Sequence, residues 1–110
     1  MKLSVKKIVE LCNGKLYCGD ENVICTNLVK DTRIIMPGDT YVGIKGGNFD
    51  GNIFYIEAFN KGANCVILEK ENFKVDTNFI YTKPLILVDD SIAALKKIAM
   101  YIRKKSSAYF

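Results

Sequence analysis

Two polar segments bracket one apolar run in this chain, and both are rich in residue types that hold anions and flat polar groups. The first is Asp31-Thr32-Arg33, and the second is Lys45-Gly46-Gly47-Asn48-Phe49-Asp50-Gly51. Between them lie the turn signal Pro37-Gly38-Asp39 and the β-forming run Thr40-Tyr41-Val42-Gly43-Ile44. A loop placed after a strand and before a helix stands at the strand's carboxyl end, where open α/β sheets hold their ligands. Glycines there let backbone N–H groups approach a ligand closely, and the helix that follows adds free amides and a positive dipole end. Such a loop suits a diphosphate, a uracil edge or a ribose hydroxyl.

Each feature also has a plainer reading. Asp31 can accept backbone amides while Arg33 pairs with it or with another carboxylate; alternatively, Thr32 offers its hydroxyl and nearby amides to the polar edge of a base. Asp50 fits a turn as well as a ligand acceptor. Phe49 either caps the core or stacks on a flat base. The glycine stretch fits a simple strand-to-helix turn as well as a ligand cradle, and it matches neither GxxxxGK[ST] nor GxGxxG. Tyr17, Tyr41, Tyr55 and Tyr81 read as packing or surface groups, and Gly43 marks a close approach to the backbone.

Composition narrows the chemistry. The chain has no histidine, which excludes a histidine triad or histidine general base. Its four cysteines, Cys12, Cys18, Cys25 and Cys65, lack zinc-knuckle spacing. They read as reduced thiols in a cytoplasmic protein, with no metal site, and Cys65 as a small core residue. The net charge of +4 comes from 16 basic and 12 acidic residues and is dispersed. That pattern points to solvated faces, with no nucleic-acid partner. No apolar run reaches the roughly 18 residues of a membrane span, and no signal peptide is apparent.

The elements that position these residues follow from periodicity and punctuation. Ser4 caps a helix with Val5, Ile8, Val9, Leu11 and Cys12 inward, ended by Asn13-Gly14. Lys15 to Tyr17, Val23 to Leu28, Thr40 to Ile44, Cys65 to Leu68, Phe79 to Tyr81 and Leu85 to Val88 read as strands. Asn52 caps a helix from Ile53 to Lys61, with Phe54, Ala58 and Phe59 near one face and Gly62 at its end. Strand, loop, helix and strand from Thr40 to Leu68 fit a right-handed βαβ unit. Asp90 or Ser91 caps a last helix from Ile92 to about Lys104, with Ala93, Leu95, Ile98, Ala99 and Ile102 inward. Ala108-Tyr109-Phe110 looks like a chain cut as it enters another strand. The expected fold is a single small α/β domain over residues 1–110, three-layer-like, with a mixed sheet and about three helices.

These segments together resemble the N-terminal domain of the Mur ligases, the enzymes that extend the peptidoglycan stem peptide. The resemblance is carried by Asp31-Thr32-Arg33, Pro37-Gly38-Asp39, the strand to Ile44, Lys45-Gly46, Asp50-Gly51, Gly62-Ala63 and the helix segment Leu87 to Arg103. It implies that this domain holds the UDP moiety of a UDP-N-acetylmuramoyl-peptide. By position, the implied contacts are Lys30, Thr32, Gly47, Asn48 and Phe49, supported by Asp31, Arg33, Lys45, Gly46 and Asp50. Two members share this domain type. One adds the third residue of the stem peptide, and the other adds D-alanyl-D-alanine; the Asp-Thr-Arg and KGGNFDGN segments look more like the latter. A freestanding ligand-binding or regulatory module of the same fold is the alternative outside catalysis. The resemblance places ATP, magnesium and the D-alanyl-D-alanine site in central and C-terminal domains outside this chain, so the 110 residues alone are expected to be inactive. Lys30 and Asn52 depart from the family pattern, which often has a small polar residue and a histidine at those places.

Overall fold

The computed structural model describes residues 1–107. Residues 108–110, which read above as the entry to a further strand, lie outside the described residues. The chain opens with β1 (Leu3–Ser4) and α1 (Val5–Cys12), then β2 (Lys15–Cys18), β3 (Ile24–Cys25) and β4 (Leu28–Val29). A 3-10 turn over Thr32–Ile34 leads to β5 (Thr40–Val42), followed by β6 (Lys45–Gly46) and β7 (Phe49–Asp50). A second 3-10 turn, Gly51–Phe54, runs into α2 (Tyr55–Asn60), and β8 (Cys65–Glu69), β9 (Leu85–Val88) and α3 (Ser91–Ser107) complete the order.

The main sheet has five strands in the order β2-β9-β8-β5-β4. The pairs β4–β5, β5–β8 and β8–β9 are parallel, whereas β2 joins β9 antiparallel with a register break between Leu16 and Cys18. The sheet is therefore mixed, as expected, and β5, α2 and β8 form the expected βαβ unit with parallel strands. Period-two alternation sends β8 and β9 side chains to two separate cores. Cys65, Ile67, Ile86 and Val88 pack with Val5, Ile8, Ala94 and Ile98 of α1 and α3. Val66, Leu68 and Leu85 pack on the other face with Tyr55, Ala58 and Phe59 of α2. A strand covered on both sides needs no polar alternation, which is why Cys65 to Leu68 reads as an unbroken apolar run. Each such aliphatic side chain contributes about 1.5–3 kcal/mol by leaving water.

The ends of the helices are set locally. Ser4 Oγ accepts the Lys7 N–H at 3.0 Å and caps α1 as expected. At its other end Asn13, rather than Gly14, takes the left-handed conformation, with φ at 51°. Asp90 Oδ1 accepts the Ile92 and Ala93 N–H groups and caps α3. Ala94, Ile98 and, in part, Leu95 and Ile102 face the core, while Ala93 and Ala99 are exposed against expectation. The buried stripe runs Ser91, Ala94, Leu95, Ile98 and Ile102, at helical spacing that leaves Ala93 and Ala99 on its flank.

Several expected elements resolve differently. The run from Val23 to Leu28 is two short strands, because β3 pairs with β1 while β4 pairs with β5. Phe79 to Tyr81 is not a strand. Phe79 and Tyr81 instead join an aromatic cluster over α2, with Tyr55 Oη and Tyr81 Oη 2.6 Å apart, and Ile80 is exposed. Asn52 does not cap α2, and the α-helix starts later, at Tyr55. Cys12, Cys25 and Cys65 are buried free thiols and Cys18 is half-buried. The Cys65 thiol is pushed well above its ordinary range by its hydrogen bond with Cys25 and by burial. Among the described residues, no helix is long and apolar enough to cross a membrane.

Candidate functional site: a cleft at the end of β5

The two polar segments meet across the end of β5. Lys30, Asp31, Thr32 and Arg33 form one side of a cleft of about 730 Å³, and Gly46 and Phe49 form the other. Tyr41, Ile44 and Phe54 line it between them, and Glu57 contributes from the first turn of α2.

The first wall is built by local hydrogen bonds. Asp31 caps the 3-10 turn by accepting the Arg33 N–H at 2.9 Å. The same carboxylate takes the Arg33 guanidinium in a forked pair, Nη2 to Oδ2 at 2.8 Å and Nε to Oδ1 at 3.0 Å. These bonds to Arg33 hold the Asp31 carboxyl down at about 2, and the guanidinium is raised in return. Asp31 and Arg33 thus follow the structural of the two readings above, satisfying each other within the segment. Thr32 projects differently: its hydroxyl donates to Glu57 Oε2 at 3.0 Å.

The second wall is a hairpin rather than an open loop. Lys45 pairs with Asp50 and Gly46 with Phe49, antiparallel, leaving Gly47 and Asn48 at the turn. Gly47 sits at φ +56°, a conformation that costs a side chain roughly 1–2 kcal/mol. Phe49 is 58% exposed and stacks on Phe54, with ring centroids 5.7 Å apart and planes 20° apart. It presents one aromatic face instead of closing the core. Asp50 Oδ1 accepts the Asn52 N–H at 3.0 Å and the Asn52 amide Nδ2 at 2.8 Å. Asp50 is therefore the cap of the following 3-10 turn, and no side chain caps α2, the helix that Asn52 was expected to cap.

Asn52 is buried and anchors the hairpin instead. Its Oδ1 accepts the Glu69 N–H at 2.8 Å, and its Nδ2 also donates to Glu69 Oε1 at 3.0 Å. A Cβ on Gly43 would stand 2.9 Å from Asn52 Cα and 2.8 Å from a Leu68 methyl. The close approach expected at Gly43 is thus made by Asn52, from within the domain. Tyr41 Oη, buried under the cleft, donates to Gly51 O at 2.7 Å. Burial foremost, with the charges of Glu57, Asp31 and Asp50, pushes its phenol up to about 12.

Of the residues the resemblance implied as contacts, Lys30, Thr32 and Phe49 line the cleft, while Gly47 and Asn48 stand at the hairpin tip outside its lining. Among the supporting residues, Asp31, Arg33 and Gly46 line it, and Lys45 and Asp50 do not. Glu57, Tyr41, Ile44 and Phe54 were not singled out as contacts. In sequence, Glu57 reads as half of a solvated i,i+4 pair with Lys61, an ion pair the structure contains at 3.7 Å. Lys30 is a lining cation with no ion pair among the described residues. An aromatic face, a hydroxyl and a lysine thus line one cleft, together with the Asp31–Arg33 pair and the Glu57 carboxylate. Among the described residues no group of three or more His, Cys, Asp or Glu side chains could hold a metal ion.

No family model matches the chain. The UDP-N-acetylmuramoyl-tripeptide--D-alanyl-D-alanine ligase of Buchnera aphidicola subsp. Baizongia pistaciae is 33% identical over 112 residues, covering 98% of this chain and 23% of that ligase. The ligase of the same description from Rickettsia prowazekii is 34% identical, covering 98% of the chain and 21% of the ligase. A UDP-N-acetylmuramoyl-L-alanyl-D-glutamate--2,6-diaminopimelate ligase from Phocaeicola vulgatus is 28% identical over 88% of the chain. The crystal structure of MurF from Acinetobacter baumannii shares the fold with a TM-score of 0.78 at 18% identity, over 96% of this chain and 22% of that one. The chain spans less than a quarter of the length of these relatives. The chain belongs to the Mur ligase family and corresponds to its N-terminal domain of the MurF type.

Proposed function

We propose that the cleft holds the UDP end of a UDP-N-acetylmuramoyl-peptide, in an ATP-dependent ligase that joins D-alanyl-D-alanine to it. The observation that carries this reading is the convergence of Thr32 and Phe49, from segments on either side of β5, onto one cleft. Relatives of two kinds strengthen it. The D-alanyl-D-alanine ligases and the diaminopimelate ligase add different groups, yet both names begin with UDP-N-acetylmuramoyl. A domain shared by both fits the part of the substrate they share. Phe49 offers its face to the base, and Lys30 supplies a charge for the diphosphate. The D-alanyl-D-alanine specificity follows the relatives that match 98% of the chain at 33–34% identity, whereas a diaminopimelate ligase at 33% matches 57% of it.

ATP and magnesium belong, in this reading, to parts of the ligase beyond these residues, since the 110 carry no GxxxxGK[ST] run. A MurF structure from Thermotoga maritima, TM-score 0.54 over 66% of this chain at 32% identity, is a complex with ADP. The 110-residue chain then binds nucleotide without catalysing ligation, and the ligase works in the cytoplasm. Titration of the isotope-labelled chain with UDP-N-acetylmuramic acid, followed by amide NMR, tests the reading. Shifts should concentrate at residues 30–33, 46–49 and 57. Shifts scattered away from the cleft, or none at millimolar ligand, refute it.

A further inference from the structure

Glu57 lines the cleft without an assigned role, and it holds the Thr32 hydroxyl. Its Oε2 accepts the Thr32 hydroxyl at 3.0 Å, across 25 residues of sequence, and its Oε1 lies 3.7 Å from Lys61 Nζ. A threonine hydroxyl carries one proton and two lone pairs, whereas an ionised carboxylate only accepts. In this structure the single Thr32 proton goes to Glu57. Toward the cleft, Thr32 Oγ1 has only lone pairs left to offer.

We propose that Glu57 is a specificity-determining positioning residue, which fixes Thr32 Oγ1 as an acceptor and thereby selects a ligand ring N–H, the N3–H of uracil. The proposal rests on the nucleotide reading above. Uracil shows one donor on its pairing edge, N3–H, between two carbonyl acceptors. Cytosine shows a bare N3 acceptor at the same place. A fixed acceptor bonds the first and meets a lone pair on the second. A ribose hydroxyl can donate or accept, so it gains nothing from a partner of fixed polarity. A ring N–H can only donate and does gain. Phe49 and Phe54 line the same cleft, which gives a ring within reach of Thr32 an aromatic face to lie against. Sites that fix hydrogen-bond polarity in this way reject the mismatched ligand because a polar group is left unpaired.

Calorimetric titration of UDP and CDP into the chain, and into Glu57→Leu, Thr32→Val and the double variant, tests this. The parent should prefer UDP about fivefold or more, the range expected for one mismatched hydrogen bond in an open cleft. Glu57→Leu frees the Thr32 proton to turn toward the ligand, so the UDP-to-CDP ratio should fall at least about fivefold, with CDP itself gaining. Thr32→Val should collapse the ratio too, and Glu57→Leu should then add nothing in that background, as one shared interaction requires. Thr32→Val is nearly isosteric and keeps the test standing if Glu57→Leu does not fold, which circular dichroism reports. An unchanged ratio in Glu57→Leu, or equal weakening of both nucleotides, overturns the proposal. So does a ratio lost in Glu57→Leu but kept in Thr32→Val, which would put the ligand N–H on Glu57 itself. If the parent binds no UDP, the nucleotide reading falls and takes this proposal with it. UDP binding with its preference intact in every variant sinks this proposal alone.

Discussion

Tyr41 Oη donates a 2.7 Å hydrogen bond to the carbonyl oxygen of Gly51, tying β5 to the point where the β6–β7 hairpin ends. The Gly51 N–H in turn donates to Ile44 O at 2.9 Å, so both backbone groups of Gly51 are held from the β5 side. Tyr41 is 1% exposed and Phe49 stands two residues before Gly51. The placement of the aromatic wall of the cleft thus depends on a buried phenol that never faces solvent. Tyr41→Phe keeps the ring and removes this bond, leaving a carbonyl without its partner. The expected loss is about 1–2 kcal/mol of stability, read from urea denaturation midpoints. Amide exchange of Phe49 and Asp50 should quicken more than that of β8.

The same phenol predicts the alkaline limit of the fold. Tyrosine is neutral below its pKa, and in the unfolded chain Tyr41 ionises near the ordinary 10.0. Folded, it is pushed up to about 12, chiefly by burial and then by the carboxylates of Glu57, Asp31 and Asp50. The native state therefore holds the proton more tightly than the unfolded state does. Its contribution is complete below pH 10 and is lost as pH rises through about 12. Tyr55 shifts in the same direction, through burial and its hydrogen bond with Tyr81. Stability should fall across that window, measured by circular dichroism alongside phenolate absorbance. Tyr41→Phe should make the fall shallower, since one of the two buried protons is no longer at stake.

Asn52 carries a prediction that its sequence position conceals. It is 1% exposed and meets Asp50, the Glu69 carboxylate and the Glu69 backbone at once. Asn52→Ala strands the Glu69 N–H in the interior and releases two side-chain bonds. A loss of roughly 2–4 kcal/mol is expected, at the upper end for a single substitution because several buried partners go unpaired together. Asn52→Asp should be no milder, since it sets a third carboxylate against Asp50 and Glu69. Chemical denaturation of both variants checks the order.

Much of this arrangement was legible in the residues, and the rest was hidden for identifiable reasons. Leu85 to Val88 and Cys65 to Leu68 announce buried strands because both faces of the sheet are covered, so no polar residue interrupts them. Ser4 announces α1 because capping is a contact over three residues. Asp31 and Arg33 are two residues apart, and their pairing was one of only two readings open to them. Contacts made at long range left no such trace. The break at Thr26-Asn27 depends on β1 and β5 claiming different strands. Asn52 looked like a cap because asparagine before a helix usually is one, and the competing partner, Glu69, is 17 residues away. Glu57 resembles any surface glutamate four residues from a lysine until α2 sets it beside Thr32.

Phe49 separates binding from folding. A phenylalanine 58% exposed has most of its burial still to gain, and its contact with Phe54 is a stack at the surface rather than a place in the core. Phe49→Ala should therefore cost little stability, within about 1 kcal/mol for a partly exposed aromatic pair. Its effect on ligand should be larger. Stacking of a base on an aromatic side chain is worth about 1–3 kcal/mol by alanine substitution, so UDP affinity should fall roughly fivefold to a hundredfold. Because every base has a face, CDP should lose in the same proportion, which is the opposite of the selective change expected from Glu57→Leu. Thermal melts and parallel titrations of the two nucleotides distinguish these outcomes. A Phe49→Ala chain that binds UDP as the parent does would take the base off this wall of the cleft and leave Thr32 without the ring it is proposed to read.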